Sequence, residues 1–488
     1  MRKIKYLLFV MSLVMIGVLN VKALDITGDY TFTEDYVGEV SIDGVKAVID
    51  LNGHTVTNTG DVFVATNGAD ITITGNGTIV STGDSGISLY SGSKATLENG
   101  TINVQEFGVF VTGQTTFIMN GGTINTIDNV GIGGNGRNTD NYKDYTVIMN
   151  GGTINANIES EGYSSCGIYH PSEGTVTING GTINSSNGAG IVQRGGVLNI
   201  NGGTINTSED TEGFLGKVGD SRQVVPSAAV VVDKKSVYPA YQTIETNINS
   251  NAVMNGVAGN IEKIGDEIVI NVTGGIYNEE PDESLLAEGY SAYAIVEGEY
   301  KDSYIVAKES DFDSVISDGI ISEDGVSAED KALVADLLSK YSLAAYYDVQ
   351  LLTVLKSNDA VIVDNIKETS TPVKVSLGIP TNLPALKDGF KREFYVIRIH
   401  NGQVTLIKDV TVKDSSAEFE SGEFSTYVLV YNDVEQAKAT SVANTTATTE
   451  ETATNPKTLD KIVIYLVGLG ISFVGMAKII NAKKDLKA

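Results

Sequence analysis

Arginine, histidine and carboxylate side chains are the groups that could carry catalysis in this 488-residue sequence, and arginine is scarce. Removing a proton beside a uronate carboxylate needs a strong base and a neutralising cation or Arg, whereas glycoside hydrolysis needs paired carboxylates at the bond. Four residues have types suited to one of these reactions: Arg137, Asp140, His170 and Arg194. No local motif marks any of them, so the sequence favours a protein without catalysis.

Tyrosine and acidic side chains close to those residues are the candidate binding groups. They are Tyr142, Asp144, Tyr163 and Tyr169. They belong to two stretches, about 126–146 and 156–174, that lengthen a repeat, and insertions into a stacked fold collect on one face. We therefore predict that the two stretches meet and form a binding face. Tolerated surface loops without a ligand are the alternative interpretation.

The charge and the cysteine content narrow the classes of partner and cofactor. The formal net charge is −27, which argues against nucleic acid, because such binding depends on Lys and Arg meeting phosphates. A lone Cys166 cannot form an intramolecular disulfide, and no Cys/His spacing predicts a zinc site. We therefore predict no cofactor. Calcium is suggested by the acidic charge alone, without a supporting motif.

A repeat of about 22 residues organises the N-terminal part of the chain. The phrase Asn-Gly-Gly-Thr-Ile-Asn occurs four times, and its aligned threonines step by 22 or 23 residues, with two longer steps of 30 and 29. These threonines are Thr55, Thr78, Thr101, Thr123, Thr153, Thr182 and Thr204. A second pattern, Gly followed by a β-branched residue, runs in phase at Ile87, Val109, Ile132, Ile168 and Ile191. Two patterns in one period predict at least two strands per turn, with stacked turns and asparagine ladders.

The residues before each Gly pair alternate between apolar and polar, which indicates strands with one inward face. Together with the repeat, this pattern resembles the right-handed parallel β-helix of pectate-lyase-like proteins over residues 24–305. The resemblance implies an all-β solenoid with an elongated surface.

From about residue 306 the periodicity ends and a different module begins. Ser327 to Tyr341 predicts a helix, because Ser327-Ala-Glu-Asp330 resembles a capping box. The strand-like segments that follow resemble the Ig-like stalk modules of Firmicute surface proteins, which implies a small β-sandwich over residues 306–433. Residues 434–454 are Ala, Thr and Glu with few large apolar groups, which predicts a disordered linker.

Both ends of the sequence predict export and anchoring. Residues 1–23 combine a basic start, a short apolar run and a small-x-small ending, which predicts a signal peptide. Residues 455–488 place an apolar run and a lysine-rich tail after the motif Asn455, Pro456, Lys457, Thr458, Leu459 and Asp460. This arrangement resembles the cell-wall sorting signal of Gram-positive surface proteins. It implies a sortase that cuts after Thr458 and joins it to the envelope; a plain transmembrane anchor helix is the alternative.

These features predict a protein held on the outer face of the cell, at the cell wall or the plasma membrane. We expect an adhesin, or another surface protein that binds glycans or proteins of a host or a neighbouring cell without catalysis. The alternative is a surface carbohydrate-active enzyme of the β-helix class, either a polysaccharide lyase or a glycoside hydrolase. A passive envelope spacer is a third possibility.

Overall fold

The computed structural model describes residues 23–127, 129–136, 140–157, 163–164, 166–186, 188–208, 213–215, 224–234 and 244–436. Within these residues the chain is all-β and divides into two units, one up to residue 294 plus 302–309, the other 295–301 plus the residues from 310. The predicted signal peptide and linker fall almost entirely outside the described residues, and the sorting motif does so completely. No helix within the described ranges has the length and apolar character needed to span a bilayer.

The first unit is a parallel β-helix-like coil built from three stacks of strands. The first stack comprises Leu24–Ile26, Val40–Asp43, Phe63–Thr66, Ile87–Leu89, Val109–Val111, Val130–Gly134, Cys166–His170, Ile191–Gln193, Val230–Asp233 and Ile261–Ile264. The second stack comprises Tyr30–Thr31, Lys46–Asp50, Asp70–Thr74, Lys94–Leu97, Thr116–Met119, Tyr145–Met149, Gly174–Ile178, the first halves of Gly196–Thr207 and Ile244–Asn255, and Val269–Val272. The third stack comprises Tyr36–Val37, Thr55–Asn58, Thr78–Ser81, Thr101–Val104, Thr123–Ile127, Thr153–Asn157, Thr182–Ser185, the second halves of Gly196–Thr207 and Ile244–Asn255, and Ile276–Tyr277.

The strand register follows the sequence repeat. In the third stack, Thr123 is paired with Thr101 on one side and with Thr153 on the other. In the first stack, Ile132 is paired in the same way with Val109 and Ile168. The prediction of at least two strands per turn is confirmed, and most described turns hold three.

The core fills the inside of the coil, because alternate residues of each strand point inward. One row of the second stack runs Ile73, Leu97, Met119, Met149 and Ile178, and each of these side chains is buried. Burying one such side chain contributes about 1.5–3 kcal/mol. The core is therefore continuous along the coil, and every turn covers the apolar side chains of the next.

Ladders of asparagine side chains hold neighbouring turns in register, as the repeat predicts. In the third stack, Nδ2 of each Asn donates to Oδ1 of the Asn one turn earlier at 2.8 Å, through Asn103, Asn125, Asn155, Asn184, Asn206 and Asn255. At the Asn-Gly-Gly corner a second ladder has spacings of 2.5–2.9 Å and runs through Asn120, Asn150, Asn179, Asn201 and Asn249. The ladders are thus confirmed.

Shorter elements complete the first unit. Ser291–Ala294 and Tyr304–Ala307 form an antiparallel pair, and the latter strand is also antiparallel to Ile276–Tyr277. A small separate sheet is formed by Tyr163–Ser164, Gly213–Leu215 and Val224–Val225. Among the described residues, short 3-10 turns span Glu283–Leu285 in this unit, Glu309–Asp311 where the chain enters the second unit, and Glu323–Gly325 in the second unit.

The second unit contains one helix and two antiparallel sheets. The helix spans Ala328–Leu338, and Ser327 caps it by accepting a hydrogen bond from Asp330 N at 3.0 Å. The larger sheet comprises Phe312–Ile321, Ser342–Leu355, Asn358–Ile366, Phe390–His400, Gln403–Ile407 and Thr426–Glu435. The smaller sheet comprises Glu368–Gly378, Thr411–Lys413 and Ser416–Glu423. Apolar side chains from both sheets, among them Val375, Phe419 and Leu429, share one core.

We predict that Asn155→Ala lowers the free energy of unfolding of the coil by about 1–2 kcal/mol, because both its ladder bonds are lost and the amides of Asn125 and Asn184 each lose a partner. Asn157→Ala is the matched control, since Asn157 lies on the same strand, is exposed and has no ladder bond to another described residue. Urea unfolding followed by circular dichroism checks this. Equal losses in the two variants would contradict a stabilising role for the ladder.

Candidate functional site

Three of the predicted site residues lie on one corner of the coil. Asp140, Tyr142 and Asp144 belong to the connection from the first stack to the second, before Tyr145–Met149. Asp140 is exposed and forms an ion pair with Lys143 at 3.2 Å, and this contact raises the pKa of Lys143. Tyr142 is half-buried and Asp144 is exposed. Arg137 lies outside the described residues.

This corner is packed against the turns on either side of it. Gly113 N donates to Asn141 O at 2.7 Å on the side of the preceding turn. On the other side, Asp144 N donates to Glu173 O at 2.7 Å, and Ser172 Oγ donates to Tyr142 O at 2.8 Å. Parts of the two long stretches therefore do meet, through 142–144 and 172–173.

The extra residues of the two stretches nevertheless lie at different corners. Those of the first stretch connect the first stack to the second, whereas those of the second stretch lie between Thr153–Asn157 and Cys166–His170, on the connection from the third stack to the first. Tyr163 belongs to this second connection, and its strand pairs with Gly213–Leu215. The structure therefore brings Tyr142 and Asp144 together but places the strand of Tyr163 at another corner.

Arg194 is sealed inside the protein within a polar cluster. Its side chain has 0% exposure and its Nε lies 3.1 Å from Oδ2 of Asp233, which is 3% exposed. One guanidinium nitrogen donates to the Tyr169 hydroxyl at 3.2 Å, and the guanidinium carbon lies 5.7 Å from that ring centroid. Burial alone would lower the pKa of Arg194, but Tyr169 and Asp233 reverse this effect and leave it raised. The cluster therefore holds a paired charge away from solvent.

Apolar side chains surround this cluster on the outer side of the first stack. Tyr169 is 1% exposed and packs in a buried group with Val130, Cys166, Val192 and Val231. Burial raises the pKa of the Cys166 thiol, and Arg194 offsets only part of that effect. Tyr169 thus joins a second core instead of an open face.

His170 belongs to a polar island inside the coil. Its Nδ1 lies 2.7 Å from the Tyr145 hydroxyl, and no hydrogen bond of acceptable geometry reaches its buried Nε2 from the described residues. In the neighbouring turns, Thr246 donates to Gln193 Oε1 at 2.5 Å. Burial lowers the pKa of His170 to about 3, and the nearby Val197 backbone offsets part of this shift. The imidazole is therefore neutral at physiological pH.

The second unit contains a Ser, His and Glu arrangement that the sequence analysis missed. His400 Nε2 lies 2.9 Å from Glu368 Oε1, and Nδ1 lies 3.3 Å from Ser425 Oγ. The Ser425 hydroxyl donates to the Ile399 carbonyl, so its proton is directed away from the imidazole. These residues lie 32 and 25 positions from His400, and no local motif joins them. As arranged, the group ties strand ends together and does not activate the serine.

Within the described part of the chain, no group of three or more His, Cys, Asp or Glu residues could hold a metal ion.

We predict that Arg194→Met destabilises the coil by about 3–5 kcal/mol, because it removes the cation that lies 3.1 Å from the buried Asp233 carboxylate. The double variant Arg194→Met with Asp233→Leu should recover most of this loss, since apolar side chains then replace both members of the buried ion pair. Lys143→Met, which breaks the exposed pair with Asp140, should leave the urea midpoint unchanged. A fully stable Arg194→Met single variant would contradict the structural role of the pair.

We predict that His170 makes the coil less stable as the pH falls from about 6.5 towards 3. The unfolded chain binds a proton on this residue near its ordinary pKa of about 6.5, whereas the folded coil resists protonation until about 3. At pH 5 the difference amounts to about 2 kcal/mol. Urea midpoints from pH 7.5 to 5 should therefore fall less steeply for His170→Gln than for the unaltered protein. Equal slopes in the variant and the unaltered protein would contradict this role of His170.

No protein-family model, no curated protein and no solved structure matches the chain.

Proposed function

We propose that this protein is a non-catalytic binding protein of the cell surface, an adhesin that engages glycans or proteins of a host or neighbouring cell. The observation that carries the proposal is the repeating outer surface of the coil. The Thr and Asn rows of the third stack continue through successive turns in strict register. Such a surface can meet a long partner at many equivalent points.

The finer features of the fold fit the same proposal. The coil is a right-handed, pectate-lyase-like β-helix, and the second unit is an Ig-like β-sandwich that serves as a stalk. The shared core between the two sheets of the second unit supports a sandwich. The three parallel stacks of the first unit support the β-helix class.

The proposed location rests on the two ends of the sequence. A signal peptide at 1–23 exports the chain. Of the predicted linker 434–454, the part that follows the strand Thr426–Glu435 separates the folded units from the envelope. The motif that begins at Asn455 is the substrate of a sortase, which joins Thr458 to the cell wall, or the following apolar segment anchors the protein in the plasma membrane. The cell envelope and the sortase are therefore partners of the C-terminal region.

Binding is favoured over catalysis by the surroundings of the described candidate residues. Arg194 and His170 are buried, the first paired with Asp233 and the second hydrogen-bonded to Tyr145. A polysaccharide outside the coil cannot contact either side chain without opening the fold. The Asp140 side chain is accessible to a polysaccharide, but its carboxylate already forms an ion pair with Lys143.

We predict that the full chain, kept in solution with a mild detergent, is retained by at least one polysaccharide or surface protein without creating new chain ends. A panel of neutral and uronate-containing polysaccharides is incubated with the protein, and retention and reducing ends are measured in the same samples. New chain ends that vanish in Asp140→Ala or Arg137→Ala would establish the alternative, a lyase or glycoside hydrolase. Retention that persists in both variants would support the binding role.

A further inference from the structure

The outer surface of the third stack is a regular array of polar side chains. In each Thr-Ile-Asn segment the isoleucine is buried, so the Thr and Asn on either side of it face outward, as at Thr153, Ile154 and Asn155. Side chains two positions apart on a strand are separated by about 6.6 Å, and neighbouring strands by about 4.8 Å. The array is therefore a lattice with fixed spacings, and we call it the Thr–Asn face.

The threonine row of this face presents hydroxyl groups that form no hydrogen bond with any described residue. Seven successive turns contribute a half-buried threonine: Thr55, Thr78, Thr101, Thr123, Thr153, Thr182 and Thr204. Their backbone amides bond to the previous turn, but none of these hydroxyls has a hydrogen-bond partner in the described ranges. Six steps of about 4.8 Å give a row of about 29 Å.

The asparagine row holds its amides in one orientation. Each inner rung, such as Asn155, donates one N–H to the rung before it and accepts from the rung after it. A carboxamide has two N–H donors, so each inner rung from Asn125 to Asn206 keeps a second N–H that its ladder bonds do not use. The ladder has already fixed these amide groups, so they lose little conformational entropy when a partner binds to them.

The Thr–Asn face carries no charge, although the chain as a whole has a formal net charge of −27. Thr101–Val104, Thr123–Ile127, Thr153–Asn157, Thr182–Ser185 and the end of Gly196–Thr207 contain no Asp, Glu, Lys or Arg. The field of so acidic a chain repels polyanions, and a polycation would be drawn to acidic residues elsewhere. The face therefore complements an uncharged partner that is rich in hydroxyl groups.

We infer that the Thr–Asn face binds a neutral, extended polysaccharide that lies along the axis of the coil. Its hydroxyl groups exchange hydrogen bonds with the threonine row and accept from the free amide N–H groups of the asparagine row. This inference rests on the proposed binding function, and it names both the surface and the chemical class of the partner.

The test is native gel electrophoresis of the full chain through gels that contain galactomannan, xylan, hydroxyethyl cellulose or polygalacturonate. The face variant is Thr123→Val, Thr153→Val and Thr182→Val together, which removes three hydroxyls and preserves side-chain shape. The matched control changes Thr116, Thr146 and Thr175 to Val; these half-buried threonines stack on the same turns in the second stack. That row lacks the asparagine partner, because Ile118 and Ile148 lie two positions further on. Equal urea midpoints establish that both triples fold.

We expect at least one neutral polymer to retard the protein, with the face variant weakening the apparent affinity at least tenfold and the control changing it less than twofold. The loss of three hydrogen bonds is enough to weaken the apparent affinity at least tenfold. Retardation that is equal in both triples would overturn the Thr–Asn face while leaving the binding function intact. Stronger retardation by polygalacturonate would overturn the neutral class. If no polysaccharide retards the protein, this inference fails, and the proposed function then rests on a protein partner alone.

Discussion

The coil depends on a single constraint, that each turn must bond to a near copy of itself one strand away. A carboxamide suits this task because it is both donor and acceptor, so identical residues can bond in an unbroken series. The corner ladder illustrates the rule at its ends. It ends at Glu98, a carboxylate that only accepts, and at the other end Thr273 donates its hydroxyl to Asn249 at 2.8 Å. Aspartate at every rung would instead stack like charges, which is unfavourable in a chain already so acidic.

The two sequence patterns, the Asn-Gly-Gly-Thr-Ile-Asn repeat and the Gly before a β-branched residue, are in direct contact where the third stack leads into the first. A Cβ on Gly131 would lie 2.3 Å from Cγ2 of Ile154 and 2.5 Å from the Gly167 carbonyl oxygen. The glycine that precedes each β-branched residue of the first stack therefore makes room for the isoleucine of a Thr-Ile-Asn segment one turn later. At the Asn-Gly-Gly corner the reason is different, because Gly152 has φ +85°, a conformation that L side chains rarely adopt. Each repeat thus needs its glycines for two separate reasons.

The repeat made the register predictable, since aligning the threonines and the first-stack residues already pairs the strands. The repeat could not predict which corner of the coil would hold the extra residues. The length of a period gives the number of residues in a turn but not the corner at which an insertion lies. Tyr142 and Tyr163 were therefore expected on one face, and the structure places their strands and loops at different corners. Nor could the sequence pair Arg194 with Asp233, which lies 39 positions away across a segment without the repeat phrase. In the second unit no period exists, and the approach of Glu368 to His400 depends wholly on tertiary folding.

The same ladders that stabilise the coil also determine what its surface can bind. A flexible loop must lose conformational entropy to hold several hydrogen-bonding groups in a line, whereas the third stack has already fixed them during folding. Stability and recognition then share one set of asparagines, so replacing a rung such as Asn155 would disturb both. The threonine hydroxyls differ, because the described residues leave them without partners and the coil does not need them for its register. Their persistence through seven turns, where valine would pack as well and favour a strand equally, is what points to a role outside the fold.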